Sequence, residues 1–310
     1  MQGSVLYEIR LTVRLALKYY LSICAVFRDE STYLREWIEF HRLMGVEHFF
    51  LYNNLSDDNY LSVLEPYINQ GIVTLGDWPE PWGMREQTNI YRDCLDRHGK
   101  KSRWIAFLDL DEFLFAPNAE TLTGALKEFE PFPGVVVNWQ VYGSSGYKKR
   151  PAGPVIGSFI MKARTDWIRN RRIKSIVDPR KALRPKGPHM FEYRDGEAAV
   201  TENLEPVAIR RTPRFIRIFK RLLTDIIPWI AVDPYAGHQS SVKRVSVNRL
   251  RINHYIVKSE EEVREKIKRH SYEEHTYRMN WVKYHDRNDV RDDILCGYVP
   301  ALKKRLLTQE

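Results

Sequence analysis

The sequence has little cysteine and no long apolar run. Its three cysteines, Cys24, Cys94 and Cys296, lie far apart without a metal-binding spacing, which excludes a disulfide framework and favours a reducing compartment such as the cytoplasm. No run of about 18 apolar residues is present, so no membrane-spanning helix is recognisable. Charged residues interrupt the apolar residues of 4–21, which therefore do not resemble a signal peptide.

Acidic residues are outnumbered by basic ones, since 49 Lys and Arg against 40 Asp and Glu give a net charge of +9. A basic protein can bind nucleic acid, an anionic membrane surface or an acidic substrate. No recognition helix, zinc-binding spacing or RNA-recognition signature accompanies the charge, so we expect no nucleic-acid partner, although a nucleic-acid-binding protein stays an alternative. The 310 residues are enough for one large domain or two small ones.

The first half of the chain alternates apolar runs with segments of helical periodicity. In chain order, the predicted elements are a strand at 20–27, a helix at 34–44, a strand at 46–52, a helix at 61–68, a strand at 72–75, a helix at 84–98, a strand at 104–108, a helix at 121–129 and a strand at 134–142. Such alternation is typical of parallel strands joined by right-handed crossovers. We therefore predict an α/β fold with a mostly parallel central sheet flanked by helices.

An acidic segment directly follows the apolar run 104–108. Carboxylates at the exit of a buried strand are costly unless a cation meets them, and ligands of open α/β sheets bind at this exit. Asp109 and Asp111 share one face of an extended segment, and Glu112 follows them. Their hard oxygen atoms suit Mg²⁺ or Mn²⁺ carrying a diphosphate. A solvated strand end without a ligand is the alternative.

Polar residues also follow the first two predicted strands. Because ligand contacts come from the carboxyl ends of such strands, we expect nucleotide-binding residues here, together with Asp109. The candidates are Arg28, Asp29, Glu30, Asn53, Asn54 and Asp58. Ordinary helix capping is the alternative role for the polar side chains of this set.

Several spaced segments match a known pattern in the right order. They are 24–30, 33–41, 45–58, 104–113 with its Asp-Leu-Asp-Glu core, 139–146, 174–177 and 252–259, with Gln87 and Cys94 between them. Over about residues 20–270, the chain resembles glycosyltransferase family 92. The resemblance implies a Rossmann-like A-type glycosyltransferase fold, a divalent metal, an inverting reaction and a nucleotide-sugar donor that often carries galactose.

The resemblance also assigns roles to single residues. His254 matches a C-terminal histidine that is a third metal ligand in A-type transferases, so with Asp109 and Asp111 it predicts a site for Mn²⁺ or Mg²⁺. A structural histidine is the alternative. Relatives often have Asp where Asn53 stands, but an Asn carbonyl still accepts the uracil N–H, and UDP is the expected nucleotide.

An inverting transfer needs a general base, usually a carboxylate, on the acceptor side. Glu112 is the catalytic candidate because it adjoins the metal pair, although it equally suits orienting the acceptor or capping a turn. Further open candidates are Asp166, Glu192, Asp195 and Glu202. Glu36, Glu39 and His41 match family positions but are expected to be structural.

The acceptor is expected beside the strand that follows the acidic segment. Trp139, Tyr142 and residues 143–146 offer an aromatic face and small hydroxyls for it, with core packing of Trp139 as the alternative. Lys174 and Arg184 are candidates to meet phosphate charge, unless they belong to a solvated basic face.

Composition changes after Gly143 and divides the chain. We assign 1–19 to an N-terminal extension, 20–143 to a nucleotide-sugar-binding half, 144–275 to an acceptor-binding half of the same domain and 276–310 to a C-terminal tail. Residues 210–230 mix basic and apolar side chains, which predicts either contact with an anionic membrane or a packed helix with a basic outer face. Animal members of the family are typically anchored, so the expected protein is a bacterial enzyme, cytoplasmic or peripheral at the inner membrane face.

The sequence therefore predicts a metal-dependent inverting glycosyltransferase. It would move a sugar, with galactose as first choice, from a UDP-sugar to a hydroxyl of a saccharide or lipid-linked saccharide. A nucleotidyltransferase with a similar metal pair is the alternative among enzymes.

Overall fold

The computed structural model describes residues 17–82, 84–207, 241–268 and 280–308. The strands are β1 (Tyr19–Phe27), β2 (His48–Asn53), β3 (Val73–Asp77), β4 (Ser102–Phe107), β5 (Glu112–Phe115), β6 (Gly134–Val141), β7 (Met161–Lys162), β8 (Ile173–Val177), β9 (Ala182–Pro185), β10 (Phe191–Tyr193), β11 (Val200–Thr201), β12 (Arg251–His254) and β13 (Val290–Arg291). The helices are α1 (Ser31–Leu43), α2 (Tyr60–Asn69), α3 (Met84–His98), α4 (Leu122–Leu126), α5 (Val155–Ser158), α6 (Glu260–Lys268) and α7 (Val299–Leu307). Residues 280–285 are also helical.

The central sheet has the strand order β3-β2-β1-β4-β8-β6-β12-β5, and β11 also pairs with β6. Five of its pairings are parallel and three are antiparallel. Strands β1 to β4 alternate with α1, α2 and α3, within three residues of the predicted boundaries. The predicted α/β fold with a mostly parallel sheet flanked by helices is confirmed.

Both faces of the parallel strands are covered, which explains why they are apolar along their length. In β1, Leu21 and Ile23 belong to the core that also contains α1 residues. Cys24 and Val26, which alternate with them, belong to the core that contains α3 residues. Because successive side chains of a strand point to opposite faces, β1 contributes side chains to both apolar layers.

The sheet curls between β4 and β5. Only residues 108–111 connect these strands, although β8, β6 and β12 lie between them in the sheet. Four strand spacings are about 19 Å, whereas five extended Cα–Cα steps reach roughly 17 Å. The turn in which the Glu112 N–H donates to the Asp109 carbonyl at 3.1 Å shortens the connection further. The acidic segment is therefore drawn across the end of a curled sheet.

One edge of the sheet collects the carboxyl ends of six strands. Because β4 and β6 both run antiparallel to β8, β6 runs parallel to β4, and β12 runs parallel to β6. Strands β1, β2 and β3 share this direction. Strands β5 and β8 begin at the same edge. Residues far apart in the chain thus meet where ligands of α/β sheets bind.

The later part of the chain is built into the same sheet and packs against the first half. Strand β12 lies between β6 and β5. The predicted C-terminal tail contributes β13, which pairs with β7, and α7, whose Leu302 is fully buried and whose Arg305 contacts Glu39 at 3.2 Å. No helix within the described residues has the length and apolar character that crossing a bilayer requires. The basic stretch 210–230 lies outside these residues.

Candidate active site

Backbone pairing joins the acidic segment to the end of β12. Strands β5 and β12 pair so that Glu112 lies opposite His254. The Tyr255 N–H donates to the Asp111 carbonyl at 2.8 Å, and the Leu108 N–H donates to the Cys24 carbonyl at 3.1 Å. The position of Asp111 relative to His254 is therefore fixed by main-chain hydrogen bonds, not by side chains alone.

Asp111 and His254 face each other at one end of this site, where Asp111 is partly exposed and His254 is buried. The His254 Nε2 lies 3.3 Å from the Asp111 Oδ1, and the Lys266 Nζ lies 3.9 Å from the Asp111 Oδ2. Burial would raise the pKa of Asp111, but His254, Lys266 and Lys258 outweigh it and hold this pKa below its usual range. The ring of Trp139 packs edge-on against His254 at 4.3 Å and fixes its orientation.

Asp109 has different partners although it is only two residues away. Its Oδ2 lies 2.7 Å from the Lys174 Nζ, and its Oδ1 accepts a hydrogen bond from the Gln87 Nε2 at 2.7 Å. The Lys174 side chain is 1% exposed, so the alternative of a solvated basic face for this residue is wrong. Burial alone would lower the pKa of Lys174, but Asp109 and Glu112 outweigh it and raise this pKa above its usual value.

Glu112 lies behind Asp109 and is completely buried. Its Oε2 accepts the Asp109 N–H at 2.9 Å and lies 3.4 Å from the Lys174 Nζ. Burial, together with Asp109 and Asp111, raises the pKa of Glu112 well above its usual value despite Lys174. A side chain so enclosed does not reach an acceptor hydroxyl, so this arrangement does not support the prediction that Glu112 is the general base.

The predicted metal ligands are only partly brought together. Within the described ranges, no three His, Cys, Asp or Glu side chains converge as a metal-binding group. Asp111 and His254 do face each other through the His254 Nε2, and the buried His254 Nδ1 has no hydrogen-bond partner among the residues that the structure describes. A carboxylate oxygen and an imidazole nitrogen at this separation suit two ligands of one Mn²⁺ ion. These two residues therefore fit a divalent cation, whereas Asp109 is held by Lys174 and Gln87.

The nucleotide candidates lie at the same edge, where β1, β2 and β3 end side by side. Phe27, Asn53 and Asp77 are neighbours across these strands. The Asn53 Nδ2 donates to Asp77 at 3.0 Å and to Tyr60 at 2.9 Å. Polar groups therefore lie at the predicted position of the nucleotide, but they hydrogen-bond to one another.

The other polar residues of this edge are engaged in the same way or are solvent-facing. Arg28 is half-exposed and 3.9 Å from Asp29, which has a positive φ of 53°. Asn54 is buried and donates to the carbonyls of Trp78 and Glu80. Glu30 precedes α1 without capping it through its side chain.

Asp58 caps a helix, although not the one that follows it. Its Oδ2 accepts the N–H of Ser31, the first residue of α1, at 2.7 Å. We expect Asp58→Ala to lower the free energy of unfolding by about 1 kcal/mol, because one N–H at the start of α1 loses its acceptor. Asp58→Asn should lose less, since an amide oxygen still accepts. Chemical denaturation of both variants checks this, and equal losses of nucleotide affinity at unchanged stability would assign Asp58 to the donor site instead.

The aromatic residues predicted for the acceptor are mostly core residues. Trp139 is 7% exposed and packs against His254 and His189. Tyr142 is buried, and its hydroxyl accepts hydrogen bonds from Arg251 and Asn253, so the prediction that it lines the acceptor is wrong. The loop 143–146 bonds to the segment 286–288, where Ser144 donates through its N–H and hydroxyl to Asp286.

The remaining base candidates are engaged elsewhere. Glu202 is 2% exposed and accepts hydrogen bonds from Ser246 and from the N–H groups of Asn248, Arg249 and Leu250, so it holds the segment that leads into β12. Three candidates lie on surface turns or pairs, namely Asp166 with Arg164, Glu192 with Arg184 and Lys186, and Asp195 at a positive φ.

The expected structural roles of three α1 residues are confirmed. Glu36 caps α5 through the N–H groups of Val155 and Ile156. Glu39 pairs with Arg42 and Arg305. His41 is buried and accepts the Leu114 N–H at 3.1 Å.

Sequence reasoning missed two partners of the acidic segment. Gln87 lies in α3 at one of the positions quoted for the family resemblance, and that position was its only signal. Lys266 lies in α6, four residues after Glu262, and this spacing suggests an ion pair between the two. Instead, the Lys266 ammonium approaches Asp111. Glu262 accepts hydrogen bonds from Ser259 and contacts Tyr33.

Comparison with known sequences gives one family. The sequence model described as glycosyltransferase family 92 matches residues 18–207. A glycosyltransferase family 92 protein of Oryza sativa subsp. japonica is 31% identical over 183 residues, which are 57% of this chain and 30% of that protein. One of Ricinus communis is 28% identical over 223 residues, 67% of this chain and 39% of that protein.

A galactan beta-1,4-galactosyltransferase of Arabidopsis thaliana is also similar, with 32% identity over 106 residues, 32% of this chain and 21% of that protein. The chain thus spans less than two fifths of the length of each of these curated relatives.

Two solved structures show a distant likeness. S. aureus TarS 1–349 in complex with UDP has a TM-score of 0.36 at 12% identity, covering 70% of this chain and 68% of that chain. The mannosyltransferase PcManGT from Pyrobaculum calidifontis in complex with GDP-Man and Mn²⁺ has a TM-score of 0.31 at 14% identity, covering 38% of this chain and 34% of that chain.

Proposed function

The chain belongs to glycosyltransferase family 92, and on that basis we propose that it is a divalent-metal-dependent glycosyltransferase acting at the carboxyl edge of its central sheet. One observation carries the proposal. His254 lies outside the matched residues 18–207, yet its Nε2 lies 3.3 Å from Asp111 of the acidic segment. The contact between Asp111 and His254 is therefore not part of the family match. It brings together the kind of ligands that a metal-diphosphate site needs.

Asp111 and His254 are the residues that would hold the cation. When bound, Mn²⁺ or Mg²⁺ supplies positive charge that stabilises a leaving nucleoside diphosphate. Lys258 and Lys266 add fixed positive charge, since both act on Asp111. Trp139 keeps the His254 ring in place, and Glu202 holds the segment before β12. These contacts order the site before substrate arrives.

The donor is proposed to be a UDP-sugar with galactose as first choice. Support comes from the similarity to proteins named galactan beta-1,4-galactosyltransferases. Asn53 and Asp77 are proposed to contact the base, although Asn53 would have to exchange its present bonds to Tyr60 and Ser56. Arg28 and Glu30 lie beside them and are proposed to contact the nucleotide.

The acceptor is proposed to be a hydroxyl of a saccharide or of a lipid-linked saccharide. Inversion is the stereochemical outcome that the family resemblance predicts, and it requires a base outside the buried carboxylates described above. Contact with a membrane surface stays a proposal that concerns residues 210–230.

A panel of nucleotide sugars with Mn²⁺ and galactan oligosaccharides tests this function, with UDP release and the product anomer as readouts. We expect release from a UDP-hexose and an anomeric configuration opposite to that of the donor. Release of pyrophosphate from a nucleoside triphosphate, without any sugar transfer, would support the nucleotidyltransferase alternative. No transfer from any donor to any acceptor would overturn the proposal.

Metal removal gives a separate expectation. Dialysis against EDTA should abolish UDP release, and Mn²⁺ should restore it better than Mg²⁺ because an imidazole ligand suits Mn²⁺ better. Titration of each metal into the dialysed protein measures this preference. Full activity in EDTA would contradict a metal-dependent reaction.

A further inference from the structure

The two aspartates of the acidic segment have opposite environments. Asp111 faces the His254 Nε2 at 3.3 Å and has the Lys266 Nζ at 3.9 Å, near the limit of an ion-pair contact. Asp109 has both carboxylate oxygens engaged at 2.7 Å, one by Lys174 and one by Gln87. The segment therefore offers one carboxylate toward His254 and keeps the other bound to protein.

Lys174 reaches this position through the topology of the sheet. Strand β8 lies between β4 and β6 and begins at the carboxyl edge. Lys174, its second residue, extends an almost completely buried side chain under the turn between β4 and β5, where it contacts Asp109 and Glu112. The Asp109 N–H also donates to Glu112, so Lys174, Asp109 and Glu112 all contact one another.

We propose that Lys174 is an internal counter-ion that excludes Asp109 from the metal site, so that Asp111 and His254 alone hold the cation. An ammonium group in contact with Asp109 repels a divalent cation at that carboxylate, and burial strengthens the repulsion because the surroundings screen it poorly. The Lys174 side chain is 1% exposed and contacts both Asp109 and Glu112, so its charge stays beside the acidic segment. Lys174 is thus a positioning residue for the metal site.

Two protein ligands leave most of the coordination of Mn²⁺ or Mg²⁺ to other oxygen atoms. The inference rests on the proposed function here, since the diphosphate of the donor supplies some of them. Metal should consequently bind weakly to the free protein and more tightly when nucleotide is present. By linkage, the nucleotide should gain the same factor from the metal.

Mn²⁺ binding to the full chain, followed by the electron paramagnetic resonance signal of free Mn²⁺ with and without UDP, tests the inference. In wild type, UDP should tighten Mn²⁺ binding at least about tenfold. Asp111→Asn and His254→Ala should each weaken UDP-supported binding about tenfold or more, whereas Asp109→Asn should change it by less than about threefold. Equal weakening by Asp109→Asn and Asp111→Asn would overturn the inference.

A second variant tests the role of Lys174 directly. Lys174→Met frees Asp109 and Glu112, so Mn²⁺ should bind about tenfold more tightly without UDP, and Lys174→Met/Asp109→Asn should lose this gain. No gain in a folded Lys174→Met protein would overturn the inference. If Lys174→Met does not fold, the Asp109→Asn comparison still decides it.

Failure of the proposed function has a different signature. A wild-type protein that binds neither UDP nor Mn²⁺ under any condition contradicts the function itself. A protein that binds both, but loses Mn²⁺ on Asp109→Asn, contradicts only the role given to Lys174.

Discussion

Asp111→Asn is expected to lower kcat/KM for the nucleotide sugar about a hundred- to a thousandfold. The substitution keeps the size of the side chain and removes the charge that faces His254 and Lys266. A neutral amide holds a divalent cation poorly, and stabilisation of the leaving diphosphate is lost with it. UDP release at saturating Mn²⁺ measures the effect.

A matched control separates this effect from a general loss of aspartate. Asp293 is exposed and pairs only with Arg291 in the described contacts, at 3.1 Å, so Asp293→Asn should retain wild-type rates. Thermal unfolding of Asp111→Asn should remain cooperative. Undiminished UDP release by Asp111→Asn would remove the central argument for a metal-diphosphate site.

Lys174→Met is expected to lower the free energy of unfolding by about 3 kcal/mol, because breaking a buried ion pair leaves a charge without its partner. The pair with Asp109 is 2.7 Å long, and the Lys174 side chain is 1% exposed. This loss of unfolding free energy lies at the low end of the range for buried ion pairs, since the Asp109 side chain retains some access to water. Denaturant titration measures it.

The expected rescue makes this test specific. Asp109→Asn should recover part of the loss in the Lys174→Met background, because the nearer of the two carboxylates that contact Lys174 is then neutral and only Glu112 remains beside the methionine. Arg184→Met is the control, since Arg184 and Glu192 are similarly close at 2.6 Å but lie at the surface, and it should cost clearly less than Lys174→Met. Equal losses for Lys174→Met and Arg184→Met, or an additive double variant, would contradict a buried counter-ion.

Several site residues could be predicted because their neighbours in sequence are their neighbours in space. Asp109 and Asp111 lie two and four residues after the end of β4, so the position of the strand fixed theirs at the carboxyl edge. The edge residues Asn53 and Asp58 were located in the same way, although the sequence did not show that Asp58 caps α1, from which it is separated by β2. His254 was predicted through family resemblance, not through periodicity.

The roles of other residues depend on contacts with residues that are distant in the sequence, and no local sequence pattern indicates these contacts. The sequence around Lys174 fits a solvated surface as well as a phosphate contact, because a single lysine in a strand does not reveal which side chains lie beside it. Tyr142 ends a predicted strand and suits an aromatic acceptor surface by its sequence position, but Arg251 and Asn253 donate to its buried hydroxyl. Glu112 has no access to an acceptor because it is completely buried at the start of β5, where it contacts the Asp109 N–H and Lys174.

The sequence by itself determined the alternation of strands and helices, since apolar periodicity is a local property that the chain carries in its residue order. It also determined that carboxylates follow β4. Only the tertiary structure decided which side chain lies beside each carboxylate, because β8 and β12 come from distant parts of the chain. Their order in the curled sheet places Lys174 beside Asp109 and His254 beside Asp111. Electrostatic partners act through space, and the distance along the chain does not fix them.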